Sequence, residues 1–527
     1  MLRRGRRPTF VRLAVLQQIC FDDWRQGALD LLRAIPQLSG RPGEGVACVW
    51  LPADFVSPST AALITAAFAN LARLELYDTV RLSPDASHEA ARGLALLLGT
   101  ASGPDGSSAS AGASGEGTAS GPGGSEGARQ GGGGLSLLAR PSVLVLDRYH
   151  LGRSMDWAAW RGPGFGDAGK LKSLPVGFGP VLRQATQLRT LEVKTLKLCV
   201  NNQQRPDGAG RAPAEELASI IQLTALSLHS CNPTLLPVLT GALTRLTSLE
   251  LTDQQDPLPA ALFAPLQGLQ RLEVPNATLE VPGFAEALSS LTRLSVGGFT
   301  LPAQQLSQPL TSIPRWRLPA GLREVGLGTG SLRRYGAPRI VPLEVLAGVE
   351  VPAGLRFDRQ SIVESFMLYP GRHTAPPVEE DGFAGTELLP AAEEALCGAL
   401  RFVGRHGLLA DRRPGYLSIT YKASGTERLL QPVGGATGTG PGRPNHCRWL
   451  REVGALGPWS LMLVGFELSY QDVEEMRDSL RHAQSWGGFR PGSGGFGEPG
   501  CRPVRPGSAN PTPNLRDRVW THEKPAR

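Results

Sequence analysis

The chain has little lysine, since six lysines stand against 48 arginines among its 527 residues. This skew accompanies abundant glycine, alanine and proline, and it indicates a coding bias and not a function. Long apolar runs are absent as well: no stretch approaches the ~18 consecutive apolar residues of a membrane span. The seven cysteines form no Cys-x-x-Cys pair, which argues against a disulfide-stapled secreted domain and favours a reducing compartment. Glycine has no three-residue period, which excludes a collagen-like chain.

The formal net charge of +7 is concentrated at the two ends of the chain. Residues 1–45 and 486–527 each carry a net charge of +4, whereas the rest of the chain carries −1. A neutral body offers no stripe of cations that could follow a phosphate backbone. Nucleic acid is therefore an unexpected partner, and binding through the basic ends is kept as an alternative. The arginine-rich N-terminus, which has no acid before Asp22, could be an organelle transit peptide or simply a basic helix start.

Glycine and proline mark the segments that we expect to be disordered. Glycine fills 14 of the 36 positions of 99–134, an insert of Gly, Ser and Ala. Such a segment buries too little apolar surface to offset its ordering entropy. Residues 431–445 and the tail over 487–527 have the same character, so we predict flexible loops and a flexible basic tail.

A repeated pattern, Leu-x-x-Leu-x-Leu, determines the predicted fold of the remaining chain. It is strictest at 223–228, 246–251, 269–274 and 291–296, with spacings of 23, 23 and 22 residues. Alternating apolar residues predict a short strand with one buried face. One such unit cannot bury its leucines alone, so stacked neighbours must share a continuous core.

Less regular matches extend this series in both directions. They begin at Leu188, Leu322 and Leu346, with an isolated match at Leu71, and 143–147 is interpreted as one more strand. The returns between strands have an apolar periodicity of their own, which indicates helices or turns packed behind the strands.

These repeats resemble those of the leucine-rich repeat family, most clearly over 188–301 and less so over 302–358 and 68–98. The resemblance implies an α/β solenoid whose short parallel strands line a concave face, and a function in binding other proteins. The Asn or Cys that the family places after each strand is matched by Cys231 alone. The other repeats have Leu196, Gln254, Ala277 and Phe299 there, so we expect the side-chain ladder of the family to be largely missing.

The C-terminal part does not keep the repeat. We predict a helix around 387–408, strands over 416–422, 427–433 and 459–468, and a last helix that begins after Ser469. The predicted organisation is an N-terminal helical segment with one repeat-like strand (1–98), the disordered insert (99–134), the repeat solenoid (135–358), a small α+β unit or irregular terminal repeats (359–486) and a disordered basic tail (487–527).

Several short motifs match catalytic or cofactor sites, but each lacks the flanking residues or secondary structure that such a site requires. GFGDAGKL (164–171) matches the glycines of a P-loop, but Leu171 stands where Ser or Thr would hold magnesium. Gly-x-Gly-x-x-Gly at 164–169 and 495–500 lacks a strand–turn–helix setting, and Gly-x-Ser-x-Gly at 123–127 lies in the insert. The pair His446–Cys447 has no further metal ligands at suitable spacing. Adjacent acids do not face each other on a helix, so no catalytic, metal or cofactor site is predicted, and no cofactor.

The outward positions of the strands form the one candidate functional surface. The residue between two leucines of a strand points away from the core, and stacked strands align such residues in columns about 4.8 Å apart. The protein-binding candidates on this face are Thr190, Glu192, Lys194, Ser227, His229, Ser248, Glu250, Thr252, Arg271, Glu273, Arg293 and Ser295. We expect Arg271 and Arg293 to reach Glu250 and Glu273, and a self-satisfied ladder of ion pairs is the competing interpretation. The columns contain no aromatic anchor of the kind that interfaces favour.

The function expected from these observations is a non-enzymatic, intracellular protein-interaction scaffold, in the cytoplasm or, by analogy, on the cytoskeleton or cilium. Its partners would be one or more proteins of unknown identity. One alternative rests on VLQQICFDDW (15–24), which loosely resembles an F-box helix through Leu16, Ile19 and Trp24 and implies a substrate receptor of a ubiquitin ligase. A second alternative is an enzyme housed in 359–486.

Overall fold

The computed structural model describes residues 10–12, 24–38, 42–77, 82–100, 140–146, 174–198, 211–328, 342–359, 361–363, 365–374, 388–409, 416–421, 448–458, 460–464 and 485–487. All of them belong to one compact unit, 1–490, whereas the second unit, 491–527, lies outside the described residues.

Eighteen strands occur in the described segments. They are β1 (Phe10–Arg12), β2 (Cys48–Pro52), β3 (Arg73–Tyr77), β4 (Val143–Leu146), β5 (Thr190–Leu198), β6 (Ala225–Cys231), β7 (Ser248–Leu251), β8 (Leu258–Pro259), β9 (Arg271–Glu280), β10 (Arg293–Thr300), β11 (Trp316–Arg317), β12 (Glu324–Leu327), β13 (Val349–Glu350), β14 (Arg356–Phe357), β15 (Ser365–Leu368), β16 (Tyr416–Tyr421), β17 (Ser460–Val464) and β18 (Ser485–Gly487).

Eleven α-helices accompany the strands in the same segments. They are α1 (Trp24–Ala34), α2 (Pro58–Ala67), α3 (Pro84–Leu97), α4 (Phe178–Gln184), α5 (Arg211–Ala218), α6 (Leu236–Ala242), α7 (Phe284–Ala287), α8 (Ala303–Leu306), α9 (Leu343–Ala347), α10 (Pro390–His406) and α11 (Arg448–Leu456). Local sequence explains several of their ends: Ser57 and Ser83 cap α2 and α3 through their hydroxyls, and Gly407 ends α10 in the left-handed region.

One long parallel sheet dominates the fold. Its strands follow the order β1-β2-β3-β4-β5-β6-β7-β9-β10-β12-β14, and β8 pairs beside β9. All of the pairings are parallel, and helices or 3₁₀ turns lie in many of the connections between strands. This long parallel sheet with helical returns is the arrangement that the repeat predicts.

The repeated leucines form the core of this sheet. In the four strictest repeats every leucine or valine of the pattern is at most 2% exposed. The same register places Leu74, Leu144 and Leu191 next to one another on neighbouring strands, all of them fully buried. Each strand therefore buries one face against the returns, and neighbouring repeats share that core.

A ladder after the strands exists, contrary to the sequence-based expectation. The Gln254 side chain accepts a hydrogen bond from the Cys231 backbone N–H at 3.1 Å. One repeat further on, Asn276 donates through Nδ2 to the Thr252 carbonyl at 2.7 Å. Both amides are buried. The expectation was wrong for two reasons. The Gln254 side chain is long enough to make the contact that an asparagine would make, and Asn276 lies one residue before the pattern position, which is occupied by Ala277.

The N-terminal part contributes more to the sheet than one strand. β1, β2 and β3 all join it, and β2 pairs with β3 over its whole length and with β1 over its first three residues. The sequence pattern revealed only β3, because the three pattern positions at β2 are Val46, Val49 and Leu51, with valine in place of the first two leucines.

The repeat predicted from Leu346 is also wrong. Leu346 lies inside α9, and β13 pairs with β11 in a separate two-stranded sheet. The long sheet continues instead with β14, which pairs with β12. A helix begins after Pro342, whose fixed φ suits the residue just before a first turn, and it includes the first leucine of the apparent repeat.

The C-terminal part contains a second parallel sheet, in the order β15-β16-β17-β18. The helix around 387–408 corresponds to α10, and two of the predicted strands correspond to β16 and β17. The strand predicted over 427–433 lies outside the described residues. β16 has parallel neighbours on both sides, β15 and β17. Parallel strands need crossover connections, so the described strands of this sheet are arranged as further crossover units.

Other predictions concern segments that the structure does not describe. They are the insert except for its first two residues, the loop 431–445, the tail 488–527, the last helix after Ser469, the glycine-rich motifs, His446–Cys447, and 15–23 of the F-box-like segment.

Candidate protein-interaction surface

The register of the long sheet aligns the outward-pointing residues in rows. We call the row at the start of the strands the edge row; from β5 to β12 it contains Thr190, Ala225, Ser248, Arg271, Arg293 and Glu324. The central row lies two residues further along each strand and contains Glu192, Ser227, Glu250, Glu273, Ser295 and Gly326. Together the rows form the strand face. They bring together nine of the twelve sequence-predicted residues, whereas their role in binding stays a prediction.

The remaining three candidates belong to a third, less regular row. The pairing of β5 with β6 shifts after Val193, and the side chain of Lys194 lies outside those that the structure describes. His229 and Thr252 are half-buried, and His229 Nε2 lies 3.1 Å from Asp253 Oδ2. The sequence did not indicate this pair, because Asp253 stands beyond the strand pattern.

A first group of ion pairs on the strand face centres on Arg73. Its Nε donates to Glu75 Oε1 at 2.6 Å, and its two terminal nitrogens donate to the two oxygens of Glu192, both at 3.2 Å. Burial opposes the charge of Arg73, but the hydrogen bonds with Glu75 and Glu192 raise its pKa. This group was missed in the sequence because Arg73 and Glu192 are 119 residues apart.

A second group centres on Glu273. Arg271 Nη2 lies 2.7 Å and Arg293 Nε 3.7 Å from the same oxygen, Glu273 Oε1. Arg293 also lies 3.7 Å from Glu324. The expected contacts with Glu273 are therefore present. The expected contacts with Glu250 are absent, because Glu250 makes no ion pair with any residue that the structure describes. The Arg271 guanidinium pairs instead with Glu273, which lies two residues further along β9.

The second group remains open to solvent on its arginine side. The side chains of Arg271 and Arg293 are 48% and 44% exposed, whereas that of Glu273 is 16% exposed. Ion pairs of this exposure contribute about 0–1 kcal/mol each. Stability therefore does not require them, and their guanidinium groups are accessible to another molecule.

An aromatic pair lies at the β2 end of the strand face. Trp50 extends the central row, since it pairs in register with Glu75, and its ring centroid lies 5.4 Å from that of Tyr77 in an edge-to-face arrangement. The two rings are 4% and 0% exposed and are separate from the main core. The sequence-based rows lacked an aromatic residue because β2 was not predicted.

A buried ionic cluster lies away from the strand face. Glu344 in α9 accepts hydrogen bonds from Nε of Arg372, at 3.0 Å, and from its Nη2. The other carboxylate oxygen lies 3.5 Å from His373 Nε2, while His373 Nδ1 accepts the Tyr369 backbone N–H at 2.8 Å. All three side chains are at most 7% exposed. The cluster therefore connects α9 to the turn after β15 and offers no access to a substrate.

Burial opposes the charge of Glu344, but the adjacent His373 imidazole and the hydrogen bonds and charge of Arg372 lower its pKa. Arg372 also donates to the carbonyls of Gln305 and Gln308. The arrangement explains how a fully buried carboxylate remains ionised.

The described segments contain no group of three or more His, Cys, Asp or Glu side chains suited to a metal ion. Within the same segments, no helix is long and apolar enough to cross a membrane.

Comparisons with known proteins assign no family to the chain. No family model matches it, and no curated protein matches it. Among solved structures, a leucine-rich repeat protein of Leptospira interrogans is similar to this chain with 13% sequence identity and a TM-score of 0.31. The match covers 87% of this chain and 97% of that protein.

Proposed function

We propose that this chain is a non-enzymatic leucine-rich repeat protein that recognises another protein through its strand face. The observation that carries the proposal is the alignment of outward charged side chains over successive parallel strands, with Arg271 and Arg293 about half exposed. Parallel strands hold such groups about 4.8 Å apart on a rigid support, and a partner can therefore read several of them at once.

The charges of this face favour specificity over raw affinity. Accessible arginines are frequent in interface hot spots, and charged groups across an interface select partners and accelerate association. Glu250, which has no cation within the described residues, is the acceptor that a partner could satisfy.

Capture of partners from cell extracts, with the full chain as bait, tests this proposal. The variant Glu250→Arg plus Arg271→Glu should lose partners that the native chain retains. The matched control is Glu286→Arg plus Arg317→Glu, which reverses an exposed pair outside the strand face whose atoms lie 3.2 Å apart. Unchanged capture by the first variant would refute binding through the strand face.

We also propose that this recognition takes place inside the cell, in the cytoplasm. The support is the cysteine usage, because seven cysteines without Cys-x-x-Cys pairs suit a reducing compartment. Fractionation of cells that express the tagged full chain tests the location, and recovery from the medium would contradict it.

A further inference from the structure

The two rows of the strand face carry opposite charges from β3 to β14. The register adds Arg73 to the edge row on β3 and Arg356 on β14, so this row has four arginines, at positions 73, 271, 293 and 356, against one acid, Glu324. The central row has the acids Glu75, Glu192, Glu250 and Glu273, and no basic residue over the same strands. The edge row is therefore basic on β3, β9, β10 and β14 and uncharged from β4 to β7, whereas the central row is acidic on β3, β5, β7 and β9.

This arrangement is self-complementary under a two-fold rotation. Consider an axis that runs midway between the two rows and parallel to them, just above the strand face. Rotation about it lays a second copy face to face on the first and exchanges the rows, so the basic row of each copy meets the acidic row of the other. A two-fold interface of this kind uses the same patch on both copies.

This operation brings opposite charges directly face to face on β3 and β9, the two strands that carry both an edge-row arginine and a central-row glutamate. The axis keeps each strand opposite its own equivalent, so Arg271 of one copy faces Glu273 of the other. The Glu250 carboxylate faces Ser248 of the other copy, with Arg271 of that copy on the next strand. The one carboxylate of the central row that lacks an ion pair among the described residues thus gains a cation in the pair of copies.

We propose that a second copy of this chain docks on the strand face, basic row against acidic row, to form a two-fold dimer. The proposal rests on the proposed function, because it names a partner for the same surface. The arginines of both groups of ion pairs, the one centred on Arg73 and the one centred on Glu273, then contact carboxylates of both copies.

The size of the face sets the strength of this dimer. Nine strands from β3 to β14 span about 38 Å at ~4.8 Å per spacing, and the two rows with the residue between them are about 10 Å wide at ~3.3 Å per residue. The planar area is then roughly 400 Å² per copy, or about 800 Å² in total, which is below the usual range of stable specific interfaces and in that of weak, transient ones. The dimer should therefore be weak, reversible and sensitive to salt.

Analytical ultracentrifugation of the full chain over a range of concentrations tests the proposal. We expect a monomer–dimer equilibrium whose dissociation constant rises about tenfold or more between low and high salt. Two variants reverse the charges of one row each around β9: Arg271→Glu plus Arg293→Glu makes the edge row acidic from β9 to β12, and Glu250→Arg plus Glu273→Arg makes the central row basic on β7 and β9. Each should be monomeric alone, because like charges then face each other.

Mixing these two variants gives the decisive measurement. An acidic face and a basic face are complementary, so the mixture should form a heterodimer although neither component dimerises. This recovery also shows that both variants are folded. The control Glu286→Arg plus Arg317→Glu should dimerise like the native chain.

Three results would overturn the proposal: a native chain that stays monomeric at low salt, row-reversed variants that still form homodimers, or two variants that stay monomeric when mixed. The proposed function is tested independently of the dimer. A chain that stays monomeric but still captures other proteins through Glu250 and Arg271 refutes the dimer and leaves the proposed function intact.

Discussion

Arg73 and Glu192 form a two-point ion pair that passes over an entire strand. Arg73 lies on β3 and Glu192 on β5, and both nitrogen–oxygen distances are 3.2 Å although β4 lies between them. The β4 residues at the corresponding positions are valines, Val143 and Val145, which are short enough for the arginine to pass over them. The pair links the N-terminal strands to the repeats that follow the insert.

We predict that Glu192→Gln destabilises the chain by no more than about 1 kcal/mol, because half-exposed ion pairs contribute about 0–1 kcal/mol. The side chains of Arg73 and Glu192 are 34% and 21% exposed, so solvent screens their attraction. Urea unfolding of Glu192→Gln, Arg73→Met and the double variant would measure the coupling directly. A coupling above about 2 kcal/mol would show that the link behaves as a buried pair.

The buried cluster around Glu344 should behave in the opposite way. Arg372→Met leaves a fully buried carboxylate without its main partner, so we predict a loss of about 3–5 kcal/mol in the free energy of unfolding. Replacement of both groups, in Glu344→Leu plus Arg372→Met, should recover part of this loss, because no uncompensated charge then remains. Equal losses in the single and double variants would argue that Arg372 acts through its contacts with the 305–308 carbonyls instead.

Glu344 also predicts a pH dependence of stability. Its pKa is lowered in the folded chain from the ordinary value of 4.5, so the folded state favours the ionised form. This contribution is present in full above the ordinary value and is lost as the pH falls through the folded pKa. Urea unfolding between pH 7 and pH 3 should therefore show a smaller difference between the native chain and Glu344→Gln at the acid end. A difference that stays constant over this range would contradict the assignment.

The features that the sequence predicts are those that depend on residues close together in the chain. The leucine periodicity indicates β5, β6, β7, β9 and β10, because each strand buries its own alternating residues. The two main rows of the strand face follow from the same alternation.

Features that depend on partners distant in the chain could not be predicted. The β2 repeat has valines, Val46 and Val49, where the pattern has leucines, so this strand and its Trp50 were missed. Arg372 and Glu344 are 28 residues apart, and only the packing of α9 against the turn after β15 brings them together. Glu250 and Arg271 were close enough to pair, but a nearer acid on the same strand, Glu273, competes for the guanidinium.

Two cysteines should react slowly with alkylating reagents. Burial and the neighbouring Glu75 raise the pKa of the Cys48 thiol to about 11, and burial and Glu393 raise that of Cys397 to about 11. Since only the thiolate is nucleophilic, we expect both to be alkylated at least tenfold more slowly at pH 8 in the folded chain than in urea. Peptide mass spectrometry at timed intervals measures both rates, and equal rates in the two states would refute the prediction.

The hydrogen bond between the Gln254 side chain and the Cys231 backbone N–H should contribute measurably to stability. Gln254→Ala removes a side-chain acceptor of the buried Cys231 N–H, so we predict a loss of about 1–3 kcal/mol. The control Gln267→Ala, at an exposed amide that donates to the Ala264 carbonyl, should change stability by about 0.5 kcal/mol or less. Hydrogen exchange adds a local readout: the Cys231 amide should exchange faster in Gln254→Ala than in a variant of equal global stability. If its protection falls only in proportion to global stability, Gln254 acts through packing and not through this hydrogen bond.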